Sequence, residues 1–347
     1  MGKIPPYCTR HTNSTYAHSA HKIRRGKIKI LNRRTKLKFD IFVDSSANLT
    51  EEMIAKSNIK VIPYVCTCDG EQVICYTNGI PFSQAAHKFY SAMERGADVS
   101  TSLISSERIA AAFEPSLKEG KDVLMITISS QVSGTNHQAE LAAQELMEKY
   151  PERRVYIADS ANSGFGEGLL AVQAARLRGL GEDAYTCYKW LEGNKFRLNS
   201  YFTVADLKYL KKGGRISSAV AIAGTLLNIK PILKADGNGK ISMCGKVRGR
   251  KKSVAELAEY YNKYAVFPEG HTVAISHCNC EEDALALAEL VRGMGAEEIT
   301  IEYFDIVSGA HVGPGSLGLF FIGKDRRGES AASAEKKAAG KKVRAEN

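Results

Sequence analysis

The sequence predicts an α/β protein with two domains: an N-terminal doubly wound parallel sheet and a C-terminal α/β domain with a mixed sheet. Three observations predict it. From residue 38 to about 180, short apolar runs alternate with helix-length amphipathic runs, the pattern of a parallel sheet with helical crossovers. After that point a hairpin signature, Asp236-Gly237-Asn238-Gly239, sits between runs 231–234 and 240–244 and brings antiparallel pairing. Small hydroxyl residues gather at Asp44-Ser45-Ser46, Thr101-Ser102 and Ser129-Ser130, mostly where strands should end, and a glycine-rich segment with one histidine, His311, follows late in the chain.

The elements read in order as follows. Residues 38–43 (KFDIFV) form a buried first strand. Asp44-Ser45-Ser46 turns the chain, and Thr50 with Glu51 and Glu52 reads as a helix N-cap with acids in the first turn. A second strand spans 59–65. Phe82, Ala85, Ala86, Phe89, Tyr90 and Met93 make one apolar face of a helix over 82–95. A helix over 105–118 precedes the unbroken apolar run 123–128, as in a central parallel strand. A helix runs from Gly134 to Tyr150, a strand over 155–158 and a helix over 166–178. The second half reads as a helix over 182–198, a strand over 200–204, a helix over 217–227 and the hairpin. A helix over 251–264, a strand over 271–276, a helix over 281–293 and strands over 299–305 and 317–322 complete it.

Composition narrows the function classes. The 347 residues, 44% of them hydrophobic, suffice for two cores. No apolar run approaches the ~18 residues of a membrane span, and residues 1–38 lack a secretory apolar stretch. The eight cysteines show no framework spacing and read as reduced thiols in a cytoplasm. The net charge of +10 resides at the ends: residues 39–323 hold 29 Lys/Arg against 34 Asp/Glu. A net-acidic middle excludes a nucleic-acid-binding core. Residues 1–37 are expected to be a basic, disordered extension and 327–347 a disordered tail. The domains between them are expected at 38–180 and 181–326, with the last strand returning to the first domain as one arrangement.

Ligands in open α/β sheets sit outside the carboxyl ends of strands. Hydroxyls there, with the helix N-terminus after Ser133-Gly134, suit a carboxylate or phosphate; the alternative is that each turn only caps a helix. No G-x-S-x-G elbow accompanies His311, which argues against a hydrolase. Cys66-Thr67-Cys68 and His277-Cys278-Asn279-Cys280 lack the spacing of a zinc site. There is no P-loop or dinucleotide fingerprint. No catalytic residue and no metal ligand is therefore assigned. Two basic elements, Lys211-Lys212-Gly213-Gly214-Arg215 and Lys246-Val247-Arg248-Gly249-Arg250-Lys251-Lys252, suggest an acidic partner or phosphate.

Eight segments occur together in one order: FVDSSANLT, STSLIS, ITISSQVSGT, ADSANSGFGEGLL, LKYLKKGGRIS, GTLLNIKPIL, KVRGRKK and GAHVGPGSLGL. With them the chain resembles the DegV family of bacterial fatty-acid-binding proteins over residues 38 to about 323. The resemblance implies one long-chain fatty acid held between the two domains, with no cofactor and no catalysis by this chain. It implies Thr101, Ser102, Ser129 and Ser130 at the carboxylate, with His311 and Arg215 beside it. It further implies that the acid is presented to a separate ATP-using fatty acid kinase subunit, which forms an acyl phosphate for phospholipid synthesis. Arg248, Arg250 and Lys251 would meet that subunit, and transient contact with a membrane surface is a further expectation. Where the family commonly has Gln-Pro after its Thr-Ser pair, this chain has Leu103-Ile104; where Thr often flanks the histidine, it has Ala310 and Val312. The alternative is an enzyme acting on a small phosphorylated or carboxylated metabolite at the same hydroxyl-rich site.

Overall fold

The computed structural model describes residues 38–74, 81–216, 228–266 and 272–328. The expected helix over 217–227, the basic extension 1–37 and the tail from 329 onward lie outside the described residues. The described residues form an α/β structure of three sheets.

The first sheet is parallel, in the order β2 (Ile59–Ile62), β1 (Phe39–Asp44), β6 (Asp122–Thr127), β7 (Val155–Asp159). Every residue of β1 is buried, as a strand covered on both faces requires. Helix α1 (Glu51–Ser57) begins at Thr50, whose hydroxyl accepts from Met53 N at 3.1 Å. Helix α2 is Phe82–Glu94, α3 Ser106–Lys118, α4 Thr135–Lys149 and α5 Phe165–Gly179. The order reverses between β1 and β6, which makes their carboxyl ends a switch point, the usual ligand crevice of such sheets.

The expected single strand over 59–65 is two. The chain breaks at Pro63, and β3 (Val65–Cys68) leaves the parallel sheet to pair with β4 (Glu71–Ile74) and β5 (Val99–Ser102). This small antiparallel sheet is absent from the sequence reading. Its four-residue strands are only partly buried, so they carry little of the apolar periodicity that reveals a strand.

The third sheet has the order β10 (Ile241–Arg248), β9 (Ile229–Ala235), β8 (Leu198–Thr203), β13 (Leu317–Ile322), β11 (Thr272–His277), β12 (Glu298–Tyr303). All neighbours are antiparallel except β11 and β12, so this sheet is mixed as expected. The last strand, β13, does not return to the first sheet; it fills the position between β8 and β11. Helix α6 (Ala184–Asn194) packs on α5, β6 and β7 of the parallel sheet. A short α7 (Lys208–Lys212) follows β8. Helices α8 (Arg250–Tyr264) and α9 (Glu281–Gly293) cover the mixed sheet. The glycine-rich segment around His311 begins in a helix, α10 (Ile306–Val312), capped by Asp305, whose carboxylate accepts from Ser308 N at 2.7 Å. Gly309 is required there: a Cβ would lie 1.8 Å from Tyr90 Oη on α2.

Two residues join the parallel and mixed sheets at the hairpin turn. Ser129 Oγ donates to Gly239 O at 2.8 Å. Arg326, 2% exposed, donates to Asp236 O at 2.9 Å, Ala161 O at 2.5 Å, Lys195 O at 3.4 Å, Leu198 O and the Asn162 side-chain oxygen. A buried guanidinium can be retained without a carboxylate because its fork of donors is satisfied by oxygens.

Candidate ligand-binding site

A cavity of about 240 Å³ opens at the switch point. Ile128, Val132, Ser133 and Gly134 enter it from the end of β6 and the start of α4; Tyr64 comes from the connection of β2 to β3, and Thr101, Ser102 and Leu103 from the end of β5. Leu210, Arg215, Ile241 and the α10 residues Val307, Ser308, His311 and Val312 close the other side. Apolar groups make up more than half of this lining, and the polar side chains on it fall into small hydrogen-bonded groups, Tyr64 with Ser133 and Thr101 with His311.

The centre of that polar group is Thr101 Oγ1, 2.9 Å from His311 Nε2. Burial, followed by the positive charge of Arg215, pushes His311 down to about 4. The imidazole is therefore neutral at neutral pH. Arg215 donates through Nε to Val132 O at 3.0 Å and through Nη1 to Gly213 O. Its guanidinium is thus held by carbonyls, with no carboxylate paired to it among the described residues. Gly134 gives α4 no side-chain cap and Ser133 Oγ accepts from Thr135 N at 3.3 Å, so the partial positive charge of a 15-residue helix begins at the cavity wall. Neutral hydroxyls, a fixed cation and a helix N-terminus favour an anion there.

The sequence-predicted residues divide. Thr101, Ser102, His311 and Arg215 come together on the cavity wall. Ser129 and Ser130, expected in the head-group set, are not among the residues that line it. Ser129 is 1% exposed and its hydroxyl holds the hairpin turn. Ser130 is exposed and donates to Asp159 Oδ2 at 2.6 Å. The physical reason is the turn after β6, which aims both hydroxyls at β7 and the hairpin and leaves Ser133 facing the cavity. Of the basic corner, Arg248 and Lys251 are exposed, on the end of β10 and the start of α8 rather than on a loop. Arg250 is not free for a partner: Nε pairs with Asp283 at 2.8 Å and Nη2 donates to Cys280 Sγ at 3.3 Å.

Four cavity hydroxyls, those of Tyr64, Ser133, Ser163 and Ser308, were missed in the sequence. Tyr64 donates to Thr135 Oγ1 at 2.6 Å and lies 3.1 Å from Ser133 Oγ. Ser308, beside the Asp305 carboxyl, has an Oγ with no hydrogen bond of good geometry among the described residues. The pattern Asp305-x-x-Ser308 was the available signal for a capped helix that would carry Ser308 and His311 on one side.

Behind the cavity lies a group of buried carboxyls. Asp44 accepts from Ser46 N and Ile128 N, both at 3.0 Å, and from Ser46 Oγ, which also contacts Glu167 Oε2 at 3.1 Å. Burial raises Asp44 to about 6, against the donors from Ser46 and Ile128. Burial raises Asp305 to about 7. Glu167 is pushed well above the usual carboxyl range by burial and then by the charge of Asp44. Asp44-Ser45-Ser46 thus serves as a turn near the site. Among the described residues no cluster of His, Cys, Asp or Glu has the geometry to hold a metal ion.

A family model described as "Uncharacterised protein, DegV family" matches residues 38–324. A DegV domain-containing protein of Clostridium perfringens is 39% identical over 287 residues, which cover 82% of this chain and 98% of that protein. Two solved structures superpose on most of the fold. One, described by the words "fatty acid binding of a DegV family protein", is from Thermus thermophilus, with 28% identity, a TM-score of 0.72, and 82% and 99% of the two chains covered. The other, from Thermotoga maritima, is described as revealing fatty acid binding function; it has 27% identity, a TM-score of 0.70, and coverage of 83% and 99%.

Proposed function

The chain belongs to the DegV family, and from that premise we propose that it binds a long-chain fatty acid in the switch-point cavity, carboxylate toward Thr101 and His311. The observation that carries this reading is the Thr101–His311 pair on the wall of a cavity whose lining is more apolar than polar, which Arg215 and the start of α4 also line. An acyl chain of about 16 carbons supplies on the order of 12 kcal/mol of gross transfer free energy, at ~0.8 per buried CH₂. Ordering and association costs remove much of it. The chain then supplies affinity and the hydroxyls fix position. A carboxylate placed among neutral donors stays ionised without a tight ion pair, as a phosphoryl acceptor must.

On this reading the protein is a cytoplasmic carrier without catalysis of its own, presenting the carboxylate to a separate ATP-using kinase subunit. The exposed Arg248 and Lys251 at the β10–α8 corner suit contact with an acidic patch on that subunit. No helix among the described residues is long and apolar enough to cross a membrane.

One observation favours a second reading. The cavity formed by the described residues, about 240 Å³, is smaller than the ~300–1,000 Å³ of drug-sized ligand pockets, and fits a small carboxylated or phosphorylated metabolite acted on by an enzyme. Mass spectrometry of the purified and then delipidated protein separates the two. The carrier should release a fatty acid and take up added hexadecanoate, with Thr101→Val binding it about tenfold more weakly. Retention of a small metabolite, with no uptake of hexadecanoate, would favour the enzyme.

A further inference from the structure

Thr101 has one hydroxyl hydrogen and two neighbours that want it: His311 Nε2, and any carboxylate in the cavity. We infer that a carboxylate is bound only by the neutral Nε2–H tautomer of His311, which makes His311 a positioning residue acting through Thr101. This rests on the fatty-acid reading above and adds to it what the imidazole does.

With Nε2–H, the ring donates to Thr101 Oγ1 and the hydroxyl hydrogen is free to point at the ligand. With Nδ1–H, bare Nε2 takes that hydrogen, and Thr101 turns only lone pairs toward the cavity. The first arrangement attracts an anion. The second repels it and accepts instead from an O–H donor, such as a fatty alcohol.

Two features favour the first arrangement in the protein itself. Among the described residues the ring's hydrogen-bond partner is Thr101, on Nε2, so a hydrogen there is received by Oγ1. Gly213 backs the Nδ1 edge of the ring: a Cβ there would lie 2.3 Å from Nδ1. Burial and then the nearby charge of Arg215 keep the ring neutral, so one nitrogen carries the only ring hydrogen. Recognition of acid over alcohol therefore depends on a threonine whose direction is set by the residue behind it.

The test uses the full chain, delipidated and labelled with ¹⁵N in its histidine rings. Ring nitrogen–proton correlation spectra are recorded with and without saturating hexadecanoate, and His311 is assigned by its loss in His311→Gln. The bound protein should show Nε2 protonated and Nδ1 bare. His311→Gln, whose amide can donate to the same oxygen, should keep most of the preference for hexadecanoate over hexadecanol, whereas His311→Leu should lose about 10- to 100-fold of it. A bound state with Nδ1–H or a doubly protonated ring overturns the inference, as does an unchanged acid-to-alcohol ratio in His311→Leu. Absence of any hexadecanoate uptake by the wild-type chain overturns the fatty-acid reading itself, and the inference with it.

Discussion

Asp40 and Asp44 stand on the same face of one strand, about 13 Å apart, and both are buried. Burial pushes the pKa of both upward, yet they end on opposite sides of the usual carboxylate value. At the amino end of β1, Lys60 Nζ at 2.7 Å, Ser116 Oγ at 2.8 Å and Lys121 Nζ at 3.4 Å overcome burial and hold Asp40 below it. At the carboxyl end, Asp44 meets only neutral donors and the acids Glu167 and Asp305, and rises to about 6. The paired end fixes the sheet. The unpaired end lies against the cavity, and there burial disfavours charge on all three acids. Perturbed acids are expected beside functional clefts for this reason.

Removing the paired carboxylate should have the largest effect. Asp40→Ala strands Lys60 and Lys121, whose side chains are 44% and 19% exposed and can relax into water. The loss should therefore lie below that of a fully buried pair, at about 2–3 kcal/mol in urea unfolding at pH 7. A loss under ~0.5 kcal/mol would erase the contrast between the two ends.

The unpaired end should show itself in pH. Raised pKa values mean that the folded state binds more protons than the unfolded one across the interval between the two values. The stability these acids contribute is complete below about pH 4 and is lost as pH rises through about 6 and 7. Unfolding free energy should fall by on the order of 2 kcal/mol between pH 5 and 8, and Glu167→Gln should flatten that fall. Asp40 works in the opposite sense: its contribution is complete above its unfolded pKa and is lost as pH drops through its lowered folded value. An identical pH slope in Glu167→Gln would assign the effect elsewhere.

Smaller changes sharpen the comparison. Asp44→Asn at pH 8 removes a charge from the acid group but loses an acceptor for Ser46 N or Ile128 N, and should destabilise by only about 1 kcal/mol. Ser130→Ala, at an exposed hydroxyl bonded to Asp159, should change stability by under ~0.5 kcal/mol and hexadecanoate affinity by less than about twofold. A tenfold weakening would return Ser130 to the head-group site.

The same contrast explains what the sequence revealed. The parallel strands, the Thr50 cap and the hairpin turn each have a local cause, an apolar run or a turn residue, and were legible. The antiparallel sheet of β3, β4 and β5 was not: β5 pairs with β3 across some 30 residues, and the Asp69-Gly70 turn that joins β3 to β4 is flanked by strands too short and exposed to show a period. At the site, Thr101, Ser102, His311 and Arg215 were legible through the order of their motifs. The exchange of Ser130 for Ser133 was not: both are hydroxyls in one turn, and only the direction of the backbone decides which faces the cavity. Glu167 in FGEGLL reads as an acid in a first helical turn; its burial depends on the packing of α5 against the 45–47 turn.

The position of β13 and Arg326 has a consequence for how the molecule comes into being. β13 lies in the middle of the mixed sheet although it is the last strand among the described residues, and Arg326, which ties the hairpin turn to segments near residues 161 and 198, follows every described strand. Before these residues are synthesised, β8 and β11 have no common neighbour and the hairpin turn lacks its guanidinium clasp. The parallel sheet can form during translation, as early units do, while the wall opposite it waits for contacts of long sequence separation, which form slowly. A nascent chain thus has half of its cavity built and nothing to close it, and ligand capture belongs to the released protein.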